Sequence, residues 1–299
     1  MHIGILSRGP GLYSTQRLKA AAEARGHEVT ITDHAACSLL IDEYGGRLYE
    51  MGEPVRLADV YIPRIGASIT SLGVSVIGQL DMLGVPHTTT ANGLLLARDK
   101  MRCLQFLAGR GVKVPNTLWC TSGAEAKRVA KAVGPYPVVV KLLESTHGVG
   151  VTLAHNRYQL ERTVEAFLSL QERVIIQEFI EEAAGVDLRA FVVDGKIVAA
   201  MERRAAAGEF RANLHLGGEA KTAKLSYEEE RTALDAARML GLDVAGVDLI
   251  RSERGSLIME VNASPGLEGI ENCTKVDIAG AIVEAAECRH AEQLKRQSK

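Results

Sequence analysis

Residues 244–262 read VAGVDLIRSERGSLIMEVN, two apolar runs on either side of a polar turn. Short apolar runs of this kind, separated by the turn residues Ser252–Gly255, predict two strands that pair with each other. Each run holds one acid, Asp248 in the first and Glu260 in the second. A charge inside a buried strand needs a partner or a ligand, so these two positions are candidates for function.

A metal site is the function that we infer for these acids. Asn262 lies two residues after Glu260, so the two side chains face the same side of the strand. If the strands pair, Asp248 joins them, and three oxygen ligands suit Mg²⁺, which prefers hard oxygen donors. Without a cation, the two like charges are unfavourable in an apolar sheet. A buried hydrogen-bond network is the alternative interpretation.

A lysine ends another apolar strand upstream, where Val138–Val140 are followed by Lys141. Residues 144–150, ESTHGVG, then form a small loop with two glycines. Backbone N–H groups of such a loop can approach phosphate oxygens, and the lysine supplies a point charge. The segment is not a P-loop, because no G-K-[ST] follows. An ordinary hairpin whose lysine reaches solvent explains the pattern equally well.

Two further segments carry polar residues at strand ends. Residues 174–180 read VIIQEFI, and Glu178 could accept a hydrogen bond from an adenine amino group. An exposed strand end explains this glutamate equally well. Further on, Asp194-Gly195 predicts the turn of a β-hairpin. Arginines cluster around this hairpin and suggest contacts with anions, with a solvated edge as the alternative.

The two ends of the chain have different characters. Short apolar strands and helices alternate over the first 90 residues, which predicts a mostly parallel sheet with helices packed against it. The chain starts on the strand-like run His2–Ser7 with no basic segment before an apolar stretch, so we expect no signal peptide. Residues 291–299 are polar and charged, and there we expect a flexible tail.

Composition argues against several classes of protein. The chain has 299 residues, with 35 Lys+Arg against 37 Asp+Glu and 4% aromatic residues. Such near-neutrality leaves no overall field to hold nucleic acid or an anionic membrane, and few aromatics are available to stack on single strands. Five scattered cysteines indicate reduced thiols, and no apolar stretch is long enough for a membrane span. We therefore expect a cytoplasmic protein that binds neither nucleic acid nor membrane.

Taken together, these segments resemble the ATP-grasp carboxylate–amine ligases. The residues that carry this resemblance are Ala97-Arg98-Asp99-Lys100, Val140-Lys141 with the glycine loop, Gln177-Glu178-Phe179-Ile180, Asp187-Leu188-Arg189, Asp248 and Met259-Glu260-Val261-Asn262. The sequence is similar to one family of these ligases, RimK, through Ile62-Pro63-Arg64-Ile65-Gly66, Glu202-Arg203-Arg204-Ala205, Asn213-Leu214-His215 and residues 262–271, NASPGLEGIE. The resemblance extends from residue 1 to about residue 290, and the last motif is specific to this family and its near relatives.

The resemblance implies a fold of α/β and α+β parts, namely an ATP-grasp fold preceded by a pre-ATP-grasp α/β domain. The first domain would span residues 1–97. The ATP-grasp domain would span 98–290, with a central subdomain at 98–175 and a C-terminal metal-binding subdomain at 176–290 that grip ATP between them. The resemblance assigns no role to the flexible tail, 291–299.

The resemblance also implies roles for individual residues. The ATP-binding set is Lys100, Lys141, Glu178, Phe179, Ile180, Asp187, Arg211, Ala212 and Asn213. The metal set is Asp248, Glu260 and Asn262, which would hold two Mg²⁺ or Mn²⁺ ions. The catalytic set is Lys141, Arg203 and Arg211, and the lid that excludes water is Gly148, Val149 and Gly150. The acceptor set is Arg64, Arg189, Ser264 and Gly266. Two residues depart from the family pattern, His147 where Gln is frequent and Phe179 where Tyr is frequent.

The implied reaction joins a carboxylate to an amine. ATP phosphorylates the carboxylate to give an acylphosphate and ADP, and the amine then displaces phosphate. The implied substrates are L-glutamate and the C-terminal tail of a ribosomal small-subunit protein, or a growing poly-α-glutamate chain, and relatives assemble as homo-oligomers, namely tetramers. The alternatives are the same chemistry on an amino-acid carrier protein or a glutamylated coenzyme, a kinase that releases a phosphorylated product, and a nucleotide sensor without turnover.

Overall fold

The computed structural model describes residues 1–43, 45–143, 150–183, 185–212 and 217–298. Its strands are β1 (His2–Leu6), β2 (Glu28–Thr32), β3 (Cys37–Asp42), β4 (Gly45–Glu50), β5 (Glu53–Pro54), β6 (Val60–Pro63), β7 (Thr117–Trp119), β8 (Val138–Leu142), β9 (Val151–Ala154), β10 (Val174–Glu178), β11 (Val186–Val193), β12 (Lys196–Arg204), β13 (Glu219–Thr222), β14 (Val244–Ser252) and β15 (Gly255–Asn262). Its helices are α1 (Tyr13–Ala24), α2 (Thr70–Met82), α3 (Ala91–Arg98), α4 (Lys100–Ala108), α5 (Gly123–Val129), α6 (Arg157–Ser169), α7 (Tyr227–Leu240), α8 (Glu268–Thr274) and α9 (Ile278–Gln297). In this described part of the chain, no helix combines the length and the apolarity needed to span a membrane.

The first sheet has the strand order β2-β1-β6, and its strands are parallel. Every residue of β1 is buried, because helices cover both faces of the sheet. Ile3 packs in one core with Ile282 of α9, whereas Leu6 packs in another with Ile77 of α2. The alternation of strands and helices therefore gives the parallel sheet that the sequence predicts. The small antiparallel sheet β3-β4-β5 has no counterpart in that prediction.

The central sheet has the order β7-β10-β8-β9 and is antiparallel. Strand β10 pairs with β7 and β8, and its ladder with β8 continues from Val174 to Glu178. The subdomain division expected between residues 175 and 176 would cut this strand in two. The chain instead leaves the central sheet after Glu178, because hydrogen bonding to β8 holds the whole of β10 in place.

The five-stranded sheet has the order β13-β12-β11-β14-β15 and is antiparallel. The predicted hairpin joins β11 to β12, and Asp194 and Gly195 at its turn have φ angles of 47° and 70°. Two positive φ angles are what a type I′ turn requires. Strands β14 and β15 also pair as predicted, with Asp248 opposite Glu260. The pairing on which the oxygen cluster depends is therefore present.

Helix α9 takes the place of most of the flexible tail expected at 291–299, since the chain is helical as far as Gln297. The helix is anchored by its buried residues Ile278 and Ile282. Farther along, Gln293 Nε2 donates to Gly84 O at 3.0 Å, and Arg289 Nη1 donates to Glu292 Oε2 at 2.8 Å. The polar residues that suggested disorder thus continue a helix that packs on the first domain. Lys299 lies outside the described residues.

A buried carboxylate joins the first domain to the segment that follows β15. Glu271 of α8 accepts from Tyr13 Oη and Arg17 Nε of α1, both at 3.0 Å. It also accepts from the backbone N–H of Ala279 at 3.0 Å. These bonds hold the segment after β15 against the first domain.

Glu271→Gln is expected to lower the free energy of unfolding by about 1–3 kcal/mol, because a neutral amide pairs less well with Arg17 and brings a donor toward groups that also donate. Urea unfolding followed by circular dichroism measures the loss. Glu268→Gln, at an exposed position of the same helix, is the matched control and should change the value by less than about 0.5 kcal/mol. Equal unfolding midpoints for the two variants would contradict this role of Glu271.

Candidate active site

A cavity of about 530 Å³ lies where the central sheet, the five-stranded sheet and the first domain meet. Its volume is in the range of pockets that hold small ligands and cofactors. Most of the candidate residues found in the sequence line it. They are Lys100, Lys141, Glu178, Phe179, Ile180, Asp187, Arg189, Arg203, Arg211, Ala212, Asp248, Glu260, Asn262, Ser264 and Gly266. The fold therefore brings segments that are far apart in the chain to one place.

The other candidates are the three lid residues, Asn213 and Arg64. Gly148, Val149 and Asn213 lie outside the described residues. Gly150 has a φ angle of 67°, and an added Cβ would lie 2.3 Å from Leu142 Cδ1, so a larger residue would be strained there. Arg64 is absent from the described wall of the cavity.

Lys141 is held at the cavity by a chain of hydrogen bonds. Its Nζ donates to Gln177 Oε1 at 2.5 Å, and Gln177 Nε2 donates to Thr117 Oγ1 at 3.0 Å. The Thr117 hydroxyl donates to Pro115 O at 2.8 Å, so its oxygen is left to accept from the amide. The amide of Gln177 is thereby oriented with its oxygen toward the lysine. Sequence reasoning missed Gln177, which reads as one more polar residue at a strand end.

Two lysines make the central part of the cavity a site for anions. Burial lowers the pKa of Lys141 to about 8, against the effect of Glu260, and the charge of Lys100 lowers it further. Lys100 begins α4, and its Nζ donates to Leu143 O at 3.3 Å. Two cations that disfavour each other's charge are both stabilised when an anion lies between them. A polyphosphate has the charge and the oxygen acceptors for this.

Four charged side chains form a network in the five-stranded sheet. Arg203 Nε and Nη2 each donate to the Asp187 carboxylate at 2.7 Å. Arg189 Nε and Nη2 donate to the Asp248 carboxylate at 2.7 and 2.6 Å, and Arg203 Nη2 lies 3.0 Å from the same carboxylate. Burial alone would raise the pKa of Asp248, but the two guanidinium groups hold it below its usual range. Asp248 is therefore ionised, as its predicted role as an oxygen ligand requires.

The predicted metal set consists of two carboxylates and one amide. Among the described residues, no three side chains of the His, Cys, Asp or Glu types form a metal-binding group. The predicted set of Asp248, Glu260 and Asn262 includes an amide, and all three are hard oxygen donors of the kind that bind Mg²⁺. Asp248 lies opposite Glu260 in the ladder between β14 and β15. This donor set fits a divalent cation that retains phosphate and water oxygens as further ligands. Arg189 and Arg203 would then share Asp248 with the cation.

The carboxylate of Glu178 bonds to other residues of the protein, whereas the adenine hypothesis requires it to accept from an adenine amino group. Its Oε1 accepts from Asn116 N at 2.7 Å and from Arg254 Nη2. Its Oε2 accepts from Asn116 Nδ2 at 3.2 Å. The carboxylate thus ties the end of β10 to the turn between β14 and β15. We expect the main chain of Phe179 and Ile180, rather than this carboxylate, to contact adenine.

The segment before Asn213 forms another wall of the cavity. Arg211 Nε and Nη2 donate to the carboxylate of Glu209 at 3.0 and 2.6 Å. The ring of Phe210 packs edge-on against that of Phe179, with 6.3 Å between the centroids. Arg211 is therefore positioned by its neighbour Glu209, and an aromatic pair lies beside the place expected for adenine.

The acceptor set is only partly arranged to contact a ligand. Arg189 uses its Nε and Nη2 to donate to Asp248, and Arg64 Nη2 donates to Pro265 O at 2.5 Å. Ser264 and Gly266 line the cavity, as expected. Sequence reasoning did not assign a role to Arg98, which also lines this end. Its signals were its place in the motif Ala97-Arg98-Asp99-Lys100 and its charge at the end of the otherwise uncharged helix α3.

Two family models match the chain. The RimK PreATP-grasp domain matches residues 1–94, and the RimK-like ATP-grasp domain matches residues 97–286. The chain belongs to the RimK-like ATP-grasp family. It is an ATP-dependent ligase with an N-terminal pre-ATP-grasp domain, which confirms the fold and the enzyme class predicted from the sequence.

Relatives within the family are similar over nearly the whole chain. A protein of Aliivibrio fischeri (strain MJ11), called probable alpha-L-glutamate ligase, is 49% identical over 287 residues, which are 96% of this chain and 95% of that protein. A protein of Hahella chejuensis (strain KCTC 2396), called probable alpha-L-glutamate ligase 1, is 48% identical over 293 residues, or 98% and 97% of the two chains. The solved structure of the ATP-grasp ligase PsnB with a minimal precursor has a TM-score of 0.75 and 21% identity, covering 96% of this chain and 98% of that chain. That likeness supports the fold.

The affinity of the enzyme for a non-hydrolysable ATP analogue is expected to fall as the pH rises from 7 to 9. Lys141 is a cation below its pKa of about 8 and loses that charge above it, so the attraction for phosphate weakens in this window. Isothermal titration calorimetry at several pH values measures the change. Lys141→Met is the matched control and should bind more weakly with little pH dependence. A wild-type affinity that is constant over this range would contradict a phosphate-binding role for Lys141.

Proposed function

We propose that this enzyme joins the α-amino group of L-glutamate to the C-terminal glutamate of a ribosomal small-subunit protein or of a poly-α-glutamate chain. The observation that carries the proposal is the meeting of two lysines, Lys100 and Lys141, with the oxygen donors Asp248, Glu260 and Asn262 in one cavity. Cations with oxygen donors suit phosphoryl transfer from ATP to a carboxylate. The names of the relatives support glutamate as the substrate.

The first step requires cations around the transferring phosphoryl group. Lys100 and Lys141 bind phosphate oxygens, while Arg203 and Arg211 stabilise the negative charge that spreads over this group. Each arginine is held by a carboxylate of its own, Arg203 by Asp187 and Arg211 by Glu209. Such prior orientation reduces the reorganisation needed when charge develops.

The oxygen donors of the five-stranded sheet hold Mg²⁺ or Mn²⁺ in this proposal, as a pair of ions. Divalent ions held by these donors would neutralise phosphate charge and help to orient ATP. Asp248 and Glu260 supply charge, and Asn262 supplies a neutral oxygen. Because Asp248 already bonds Arg189 and Arg203, its orientation is set by the sheet.

The bonds made and broken follow from two steps, of which the second makes the amide. In the first step an oxygen of the acceptor carboxylate bonds to the γ-phosphorus, and the bond from that phosphorus to ADP breaks. The amine nitrogen of glutamate then attacks the carbonyl carbon, the carbon–oxygen bond to phosphate breaks, and the amine loses a proton. Acylphosphates hydrolyse readily, so we assign residues 148–150 as the lid that excludes water.

The direct test is product analysis. The purified enzyme is incubated with ATP, Mg²⁺ and L-glutamate, with and without a purified ribosomal small-subunit protein that ends in glutamate. We expect release of ADP and a ladder of added glutamate residues on that protein by mass spectrometry. The same protein without its terminal glutamate is the matched control and should remain unmodified.

Other outcomes separate the alternatives. A ladder on free glutamate alone would assign the enzyme to poly-α-glutamate synthesis and remove the ribosomal role. Addition of phosphate without an amide would indicate a kinase. The absence of ADP release with both acceptors would contradict the proposal and favour a different acceptor or a nucleotide sensor.

Glu260→Gln is expected to reduce kcat by on the order of a hundred- to a thousandfold, because an amide cannot supply the charge that a metal ligand contributes. This variant is cleaner than a substitution of Asp248, which would deprive Arg189 of the carboxylate that it bonds and Arg203 of one of its two carboxylates. Binding of Mn²⁺ in the presence of ADP, followed by electron paramagnetic resonance, should weaken in parallel. Glu268→Gln is the control. An activity within a fewfold of the wild type would contradict the metal assignment.

A further inference from the structure

Arg98 lines the end of the cavity nearest the first domain, and a second arginine, Arg64, lies close to it. Arg98 ends helix α3, and its Nη2 donates to Ile65 O in the loop after β6. Burial lowers the pKa of the adjacent Arg64 to about 10, and the charge of Arg98 adds to this effect. Burial also lowers the pKa of Arg98, against the opposing effect of Glu260. Two guanidinium groups therefore disfavour each other here, and an anion would stabilise both.

Two polar atoms at this end lack a partner among the residues that the structure describes. They are Arg98 Nε and Ser264 Oγ, and both are buried. A buried polar group without a hydrogen bond destabilises the fold, and such groups are rare in native proteins. Both residues line the cavity, so a bound ligand can supply the missing acceptor.

Arg98 is directed away from the site expected for phosphate. Asp99 separates it from Lys100 and has an extended backbone, with φ −89° and ψ 102°, which ends α3 before α4 begins. As a result, Arg98 donates to Ile65 of the first domain, whereas Lys100 donates to Leu143 after β8. Arg98 and Lys100 are thus close in sequence but bond to different walls of the cavity. Arg98 is therefore available to an anion other than the triphosphate.

We propose that Arg98 and Ser264 form a subsite for a carboxylate of the acidic substrate. A guanidinium N–H and a hydroxyl match the two acceptor oxygens of a carboxylate, and the pairing with arginine is charge-assisted. The carboxylate belongs either to the incoming amino acid or to the side chain of the last acceptor glutamate. This assignment rests on the proposed function, and it explains how a ligase selects an acid over the corresponding amide.

The test compares Arg98→Gln, Arg98→Lys and Ser264→Ala with the wild type. The acceptor is a synthetic peptide that ends in glutamate, and the amine donor is L-glutamate or L-glutamine. Arg102→Gln, which removes an exposed arginine from α4, is the matched control. Each variant is also assayed for affinity toward a non-hydrolysable ATP analogue and for its melting temperature.

For Arg98→Gln we expect kcat/KM to fall by about ten- to a hundredfold for one acidic substrate, with the ATP-analogue affinity within about twofold of the wild type. Arg98→Lys keeps the charge but loses the planar fork, so it should be intermediate. Ser264→Ala should lose about fivefold for the same substrate. A rise in KM for L-glutamate identifies the incoming amino acid as the ligand, and a rise in KM for the peptide identifies the acceptor.

Several results would overturn the subsite. Unchanged KM values for both acidic substrates in Arg98→Gln would do so, and so would an equal loss of ATP-analogue affinity, which would move Arg98 to the phosphates. If Arg98→Gln melts well below the wild type, the KM values of the other two variants decide whether the subsite exists. Arg98→Lys keeps the charge, and Ser264→Ala keeps the guanidinium. Calorimetric binding of L-glutamate to the wild type and to these variants, with the ATP analogue present, tests the subsite without turnover. A failure of the proposed function would appear separately, as an absence of amide product from the wild type.

Discussion

Two ion pairs across neighbouring strands determine where the active-site residues lie. Asp187 of β11 is directly opposite Arg203 of β12, and Arg189 of β11 is directly opposite Asp248 of β14. A shift of one residue in either ladder would turn these charges to the other face of the sheet and separate them from their partners. Breaking a buried ion pair by removing one partner costs about 3–5 kcal/mol, so the observed register is strongly favoured. The neighbouring ladder between β14 and β15 then puts Asp248 opposite Glu260, and the oxygen donors depend on both registers.

Two carboxylates, each bonded to a distant segment, hold the other walls of the cavity. Glu178 bonds to Arg254 and so links the central sheet to the turn that precedes β15. Glu271 bonds to Tyr13 and Arg17 and so holds the segment after β15 against the first domain. Because the proposed ATP, metal and carboxylate subsites lie on different walls, their relative positions depend on these contacts. Glu271, which is not among the described residues that line the cavity, thus contributes to its geometry.

Local features of the sequence predicted much of the fold. The Asp194-Gly195 dipeptide located a hairpin, since few other residues adopt two positive φ angles in succession. Ser226 and Glu229, three residues apart, form a capping box at the start of α7, which is also a local signal. Predictions that depended on what a segment packs against were less successful. The subdomain division at 175/176 would cut β10, and most of the expected tail is helix, because pairing with β8 and packing on the first sheet decide these points.

The sequence by itself determined the family, through the resemblance of its motifs to those of known ligases. It also determined the order of the elements and the types of residue available for chemistry, because these follow from spacing and local backbone preference. It did not determine which candidates are free to meet a ligand. Tertiary structure alone decided that Arg189 bonds Asp248, that Glu178 bonds Asn116 and Arg254, and that Arg98 lines the cavity with an unpartnered Nε among the described residues. The physical reason is that a charged side chain bonds the group that the fold brings to it, and that group is usually far away in the sequence.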